Sequence, residues 1–469
     1  MKNVGGARKE IGRLEDMSKN CFYALGGINY KNGVISVCPR QADQLVYANE
    51  TILPSKIFNH ENVKRVRKLL HEGKWPSGCN TCEWMERDGL RSMRLDFLLD
   101  DDNVFYKSHG QESSFDNREK AKRKLLDCYD SISHKVDNDG LRHIEFRFST
   151  ACNFSCLHCS KVYSSGWTKK LKKYEPDDEV KLNDLRQLLG TEHRHGPNDR
   201  NEMSLTTEES LKIVEDLNEN FPELKYIDFS GGELLYQKQF FPTLKKLSEH
   251  PNSKNMHISF HSNFNADFSI TELSDHLEPF QTTTICISID AGKSFYSYFR
   301  HGGKWEKLQK NIKEFKNYNH FTWLDISCTT SIYQMLDIYD VFESFIELGC
   351  STDASIVQTP QYLDPSLLLY DFKSDVEKDL RKTEDLIKRN LDNMVVNEFK
   401  NGRKYWVNHK HTLKWFKYIE DYVKNTKISY TNFNRWLIYR KKSDEIWGQN
   451  FNDYFRNYQI ENNELIRVK

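Results

Sequence analysis

From residue 142 onward the chain alternates between apolar and polar positions. His143–Phe148 sets Ile144, Phe146 and Phe148 on one face and Glu145 and Arg147 on the other, the period of two expected of a strand. The same alternation returns in His257–His261, Thr284–Asp290 and Trp323–Ser327, and Lys225–Phe229 and Ser355–Gln358 add two shorter apolar runs. Helical stretches separate them. The clearest begins at Thr206, where Thr206-Thr207-Glu208-Glu209 forms a capping box ahead of Leu211, Ile213, Val214 and Leu217. Strands separated by helices predict βαβ units and a parallel sheet. A buried parallel strand is usually apolar on both faces. Here one face stays polar: Glu145 and Arg147; His257, Ser259 and His261; Ser288 and Asp290; Asp325 and Ser327. Helices over the apolar face would leave the polar face lining the lumen of an incomplete six-unit barrel; a sheet with one solvated face gives the same parity.

The flanking regions have a different texture. Residues 21–95 hold Cys21, Cys38, Cys79 and Cys82, and between them Asn59–Glu72 carries Val63, Val66, Leu69 and Leu70 at helical spacing. Gly73, Pro76 and Gly78 then break the helix just before Cys79. A polar stretch follows, with a charged helix candidate near Asn117–Tyr129, and reads as a linker. Residues 168–204 form a charged insertion, a solvated excursion or a lid. After about residue 366 the chain is helical, charged and rich in Trp and Tyr. Basic and aromatic residues interleave there (Lys410, Trp415, Phe416, Lys417, Tyr418), but Glu420 and Asp421 dilute the charge, so packing against the barrel is expected rather than nucleic-acid binding.

Composition narrows the class. Lys+Arg and Asp+Glu both number 68 over 469 residues, so no net charge argues for a nucleic acid or an acidic partner. The first ten residues have no apolar core of a signal peptide, and no run approaches the roughly 18 apolar residues of a membrane span. The expectation is a cytoplasmic, reducing setting without a membrane partner. Eleven cysteines in that setting point to metal or redox chemistry rather than cross-links.

Three of them stand together. Cys152, Cys156 and Cys159 lie in Ala-Cys-Asn-Phe-Ser-Cys-Leu-His-Cys, a C-x3-C-x2-C loop directly after the first strand of the alternating region. Three thiolates on a short loop can hold three corners of a cubane iron–sulfur cluster, and with no fourth cysteine in the motif one iron keeps an open coordination site. Zinc is the alternative, with His158 or a distant residue as fourth ligand.

The spacing resembles the signature of the radical SAM superfamily, and further residues extend the likeness. Ser230-Gly231-Gly232-Glu233 resembles the family's GGE turn, which binds the methionyl amino group of S-adenosylmethionine; glycine suits a backbone that approaches a ligand closely. His261-Ser262-Asn263-Phe264 stands where relatives show a Thr-Asn-Gly-like run, here without its glycine. Ile287-Ser288-Ile289-Asp290 is similar to a run whose polar residues lie near the ribose. Arg300 aligns with an arginine that salt-bridges the methionyl carboxylate, a planar partner suited to that group; a solvated loop arginine is the alternative. His158 occupies the place of an aromatic beside adenine. The resemblance thus implies cofactor contacts at His158, Gly231, Gly232, Glu233, Ser262, Asn263, Ser288, Asp290 and Arg300. It also implies an enzyme that reductively cleaves S-adenosylmethionine at a [4Fe–4S] cluster and modifies a substrate by hydrogen abstraction. A non-catalytic iron–sulfur or zinc scaffold is the other reading.

The N-terminal cysteines resemble the auxiliary-cluster module called twitch, the short form of the SPASM domain, through Cys38-Pro39 and Cys79-Asn80-Thr81-Cys82. Cys21, Cys38, Cys79 and Cys82 would hold an auxiliary [4Fe–4S] cluster; zinc stays open for them too. In well-known relatives this module follows the barrel. A group of twitch-domain proteins of phage and marine type has it first, and shares runs similar to Ser164-Ser165-Gly166-Trp167 and Asp444-Glu445-Ile446-Trp447-Gly448-Gln449. The implied fold is α/β: a twitch-like module at 1–100, a linker at 101–141, a partial (β/α)6 TIM-like radical SAM barrel at 142–365 with the 168–204 insertion, and a helical region at 366–469. The implied partners are a peptide or small polar metabolite as substrate and an electron donor of flavodoxin or ferredoxin type. Of the remaining cysteines, Cys128, Cys328 and Cys350 read as buried hydrophobes. Cys286 shares parity with Ser288, which admits either packing or a thiol facing the lumen.

Overall fold

A computed structural model describes residues 19–31, 34–41, 45–47, 50–87, 92–98, 125–160, 163–174, 204–318, 322–357, 360–391, 396–398, 404–407, 409–426 and 429–468. Its strands in chain order are β1 (Gly27–Lys31), β2 (Val34–Ser36), β3 (Val46–Tyr47), β4 (His143–Arg147), β5 (Ser155–Cys156), β6 (Tyr226–Ser230), β7 (His257–Ser262), β8 (Thr282–Ser288), β9 (Arg300–His301), β10 (Thr322–Thr330) and β11 (Ser351–Ile356). Nine of them form one sheet in the order β11-β10-β8-β7-β6-β4-β1-β2-β3. From β11 to β1 every neighbouring pair is parallel; β2 and β3 add an antiparallel edge.

The six strands of the alternating region are therefore joined by a seventh, from the N-terminal segment. β1 pairs with β4 from Gly27↔His143 to Lys31↔Arg147. Its Gly-Ile-Asn-Tyr-Lys alternates as β4 does, with Ile28 and Tyr30 in the core. The Tyr30 ring stacks on Phe146 at 5.7 Å, and Phe146 stacks on Phe229 of β6 at 5.5 Å and Phe148 at 5.8 Å. This aromatic row makes the N-terminal strands part of the barrel sheet, so the sequence boundaries at 100 and 142 run across a shared core.

The principal helices are α1 (Glu61–His71), α2 (Asn80–Arg87), α3 (Ser165–Tyr174), α4 (Thr207–Asn220), α5 (Phe240–Leu247), α6 (Ile270–Leu277), α7 (Trp305–Phe315), α8 (Ile338–Leu348), α9 (Leu369–Arg389), α10 (His409–Asn425) and α11 (Tyr430–Trp447). The capping box read at Thr206 starts α4: Thr206 accepts from Glu209 N at 3.1 Å and Glu209 accepts from Thr206 N at 2.7 Å. Ile213, Val214 and Leu217 of α4 and Phe240 of α5 share one core with the apolar strand faces, Phe240 meeting Phe229 edge-on at 5.2 Å. None of the described helices is long and apolar enough to cross a membrane. Beyond residue 366 the three helices α9–α11 are accompanied by two short antiparallel pairs, Val396–Glu398 with Lys404–Trp406 and Tyr458–Glu461 with Glu464–Arg467.

Two strand ends differ from the sequence reading. The last strand is Ser351–Ile356 and not Ser355–Gln358, because its polar start, Ser351-Thr352-Asp353, hides it from a search for apolar runs. The strand read at Thr284–Asp290 ends at Ser288, so its parity does not carry through to Asp290. The 117–124 part of the linker helix and most of the 168–204 insertion lie outside the described residues.

Phe146→Ala removes a fully buried ring that bridges β1 and β6. The expected loss is about 3–5 kcal/mol of unfolding free energy, read as a lower urea midpoint. A loss below about 1 kcal/mol, the scale of an ordinary surface change, would show that the aromatic row does not join the two segments.

Candidate active site

The cysteine loop leaves the C-terminal end of β4 and is tied down at nearly every residue. Ala151 O accepts from Glu233 N at 2.8 Å, Phe154 O from Ser164 Oγ at 2.6 Å, Cys156 O from Trp167 Nε1 at 2.9 Å, and Leu157 O from the Tyr439 hydroxyl. Cys156 sits in β5, which pairs with β9 so that Cys156 lies opposite Arg300. Burial raises the thiols of Cys152 and Cys156 and pushes Cys159 up to about 12, with the Arg300 guanidinium opposing in each case. Buried thiols of this kind become thiolates when a cationic centre compensates them, and a soft all-sulfur donor set suits iron–sulfur.

The turn after β6 packs directly beneath this loop. A Cβ on Gly232 would lie 2.1 Å from Ala151 O, and one on Gly231 (φ +91°) would lie 2.4 Å from Arg147 Cγ. Glycine is thus required here by the approach of the cysteine loop and Arg147, whatever ligand also uses the turn. Glu233 is buried and accepts from Ser262 Oγ at 2.6 Å, Asn263 N at 2.6 Å and Leu235 N at 3.1 Å. Burial raises its pKa, and the bonds from Ser262 and Asn263 oppose that. The carboxylate clamps the β6 turn to the end of β7. Asn263 Nδ2 in turn donates to Asn153 Oδ1 at 2.8 Å, reaching the cysteine loop. Phe264 stands at φ +53°, fully buried. It keeps the left-handed turn for which relatives are expected to carry glycine, and its ring packs against Phe268 and Phe315 at 5.3 and 5.7 Å.

Arg300 is buried, which corrects the solvated-loop alternative. It pairs with Asp290, whose second oxygen accepts from Thr329 N at 2.7 Å. His158 stacks on Phe299 at 5.2 Å with its Nε2 3.4 Å from Asp290, while burial lowers its pKa against the pull of that carboxylate. Among the described residues Arg300 Nε and His158 Nδ1 are buried without a hydrogen-bond partner. Such orphaned polar atoms are costly unless a ligand meets them.

These groups surround one cavity of about 530 Å³. Cys152, Cys156, Cys159, His158, Gly231, Gly232, Glu233, Ser262, Asn263, Ser288 and Arg300 all line it, together with Glu145, Arg147, Asp228, Ser259 and His261 from the polar strand faces and Pro39 from the N-terminal segment. The lumen alternative for the polar parity is the one realised. Asp290 is not among the lining residues; past the end of β8 its carboxylate pairs with Arg300. Cys286 is half-buried, two residues before the cavity-lining Ser288 on β8, in register with His261 of β7 and Asp325 of β10. Burial and then Asp325 raise its thiol. Burial and then Asp353 push Asp325 up to about 7, and burial pushes Asp353 up to about 6. Asp228 and Asp353 escaped the sequence reading because one sits in a run read as apolar and the other precedes one. Cys328 and Cys350 are buried and Cys128 packs partly buried against the core.

Cys21, Cys38, Cys79 and Cys82 line a second, small pocket with Gln41, Trp75 and Arg94. Burial pushes Cys21 up to about 11 and Cys38 up to about 12. Among the described residues no three His, Cys, Asp or Glu side chains are placed to share one metal ion; the ligands of a cubane cluster bind separate irons and stand further apart.

Residues 146–337 match the family model of the Radical SAM superfamily. No curated protein matches the chain. Among solved structures it is similar to native anSMEcpe with bound AdoMet (17% identity over 54% of this chain and 61% of that chain, TM-score 0.36). It is also similar to SuiB of Streptococcus suis bound to S-adenosylmethionine (11% identity over 70% of this chain and 64% of that chain, TM-score 0.34). The chain spans less than two thirds of either structure's length.

Glu233→Gln places an amide nitrogen against a donor. A hydrogen bond to a charged group contributes about 1.5–3 kcal/mol, so a loss of that size and a lower melting temperature are expected; an unchanged melting temperature would remove the clamp. Asp325 gives a pH signature. Its folded pKa is raised above the ordinary carboxyl value, so its contribution to stability is full below about 4 and is lost as pH rises through about 7. Asp325→Asn should therefore gain stability relative to the parent between those values, and parallel melting curves across that range would contradict the assignment.

Proposed function

We propose that the protein is a radical S-adenosylmethionine enzyme. The observation that carries this reading is the convergence of the three-cysteine loop, the Gly231–Glu233 turn and Arg300 on one cavity, in a stretch that matches the Radical SAM superfamily model. Cys152, Cys156 and Cys159 would hold a [4Fe–4S] cluster with one open iron. When bound, that cluster and S-adenosylmethionine supply reductive cleavage to a 5′-deoxyadenosyl radical that abstracts hydrogen from the substrate.

The chain's own residues do the rest. The Gly231–Gly232 backbone and the end of β7 at Ser262 and Asn263 shape the wall that receives the methionyl group. Arg300, held by Asp290, offers its unpartnered Nε to the methionyl carboxylate. His158, held against Phe299, offers Nδ1 on the adenine side. Ser288 lines the chamber nearest the ribose. The braced loop and the buried walls exclude water, which protects a reactive intermediate. Cys21, Cys38, Cys79 and Cys82 hold an auxiliary [4Fe–4S] cluster, Arg94 beside it supplying a compensating charge. The substrate is a peptide or a small polar metabolite, and a cytoplasmic flavodoxin- or ferredoxin-type donor supplies the electron.

The test is anaerobic reconstitution with metal analysis and an assay for 5′-deoxyadenosine. Cys152→Ala with Cys156→Ala and Cys159→Ala should remove about half the iron and all 5′-deoxyadenosine formation, since each thiolate is a direct ligand. Cys79→Ala with Cys82→Ala should remove the other half. Stoichiometric zinc in place of iron overturns the reading, and loss of all iron in the second variant overturns the separation of the two sites.

A further inference from the structure

The polar wall of the chamber is not uniform in charge. At its β1–β4 end Lys31 and Arg147 stand opposite each other in register. Arg147 lines the cavity, and Lys31 beside it is not among the lining residues. Lys31 is two residues beyond Asn29, whose amide donates to the cavity-lining Glu145, so both β1 side chains share that face. Lys31 is half-buried and has no ion pair among the described residues. Burial, and after it the Arg147 guanidinium, disfavour its charge.

The acids nearby offset the pair only in part. Glu145 already accepts from Asn29 and from Ser230 Oγ at 2.6 Å, and its nearest oxygen is 3.8 Å from Arg147. Asp228 is engaged by His143 Nε2 at 2.7 Å. Among the described residues Arg147 donates one hydrogen bond, from Nε to Ser230 Oγ at 3.2 Å, although a guanidinium carries five N–H donors. Two cations drawn together in a part-buried wall, one with no ion pair among the described residues and one with unused donors, are matched by an anion between them.

We propose that Lys31 and Arg147 form a subsite for one anionic group of the substrate, a carboxylate or a phosphate, at the β1–β4 end of the chamber. The proposal rests on the enzyme reading above and names the chemistry of its substrate. Half of the subsite comes from the segment ahead of the barrel, the segment that also places Pro39 in the chamber wall and Cys38 in the second pocket.

The probes are blocked amino acids: N-acetyl-glutamate methylamide, the phosphoserine counterpart and the neutral glutamine counterpart. Their binding to the anaerobically purified, cluster-loaded protein is followed by saturation-transfer NMR and calorimetry. At least one charged probe should bind about tenfold or more tighter than the glutamine probe, the scale of a charge-assisted contact. Lys31→Met and Arg147→Met should each cost about tenfold, and Lys31→Arg should retain binding. Preference for glutamate assigns a carboxylate, and preference for phosphoserine a phosphate. Equal binding of the neutral probe, or unchanged binding in Lys31→Met, overturns the subsite. Displacement of the charged probe by S-adenosylmethionine overturns it as a substrate site and gives it to the cofactor. Failure here is separable from failure of the enzyme reading. A protein that forms 5′-deoxyadenosine but ignores the probes loses only the subsite, whereas probe binding without that product sinks the enzyme and leaves an anion site.

Discussion

A loop that carries three cysteines through the interior must find a donor for each carbonyl it buries, because an unpaired one costs about 1–3 kcal/mol. The rest of the molecule is arranged around that demand. Ala151 O is met by Glu233 N and by Gln237 Nε2 at 3.2 Å, both from the turn after β6. Phe154 O and Cys156 O are met by Ser164 and Trp167 at the start of α3, and Leu157 O by Tyr439 from α11. Leu157 N donates to Phe299 O at 2.9 Å, beside Arg300. The turn, the helix and the C-terminal region are thereby fixed to one short segment before any ligand arrives.

This accounts for two runs far apart in the chain. Gly166 is demanded by Phe154 O, which would lie 2.3 Å from an added Cβ, and Trp167 behind it meets Trp447 edge-on at 4.5 Å. Trp447 also meets His301 at 5.6 Å. Asp444, one turn earlier, accepts from Tyr298 at 2.8 Å and Arg440 at 2.9 Å. Ser164–Trp167 and Asp444–Gln449 are therefore the inner and outer layers of one brace. The inner layer holds the loop, and the outer layer holds both the inner one and the β9 segment that carries Arg300.

Much of this was legible in the residues. Alternation located β4, β7, β8 and β10 because one face had to be apolar beneath helices while the other faced the chamber, and the capping box located α4. The cysteine spacing, the Gly231–Glu233 turn and Arg300 were read as one site and do surround one cavity. What stayed hidden depends on partners remote in the chain. β1 is five residues of ordinary alternation, and only pairing with β4 makes it a barrel strand. Asp290 follows the parity of Ser288 in sequence, but the strand ends between them. Glu233 reads as a ligand residue, and only the fold shows that Ser262 and Asn263 also donate to its carboxylate.

The pairing of Arg300 with Asp290 bears on how an anion would be received there. Separating a buried ion pair is expensive, since it strands a charge in low dielectric. A ligand that had to displace Asp290 would spend much of its binding energy on that exchange. The geometry avoids the exchange: Asp290 takes Nη2 of Arg300 and leaves Nε buried and unpartnered. Thr329 N holds the other Asp290 oxygen, so the carboxylate does not follow the guanidinium if it shifts. Under the proposed reading a carboxylate ligand adds to the pair instead of breaking it, and its affinity is set by the orphaned Nε. Asp290 then acts on the ligand only through Arg300 and His158, as the fixed point that aims both.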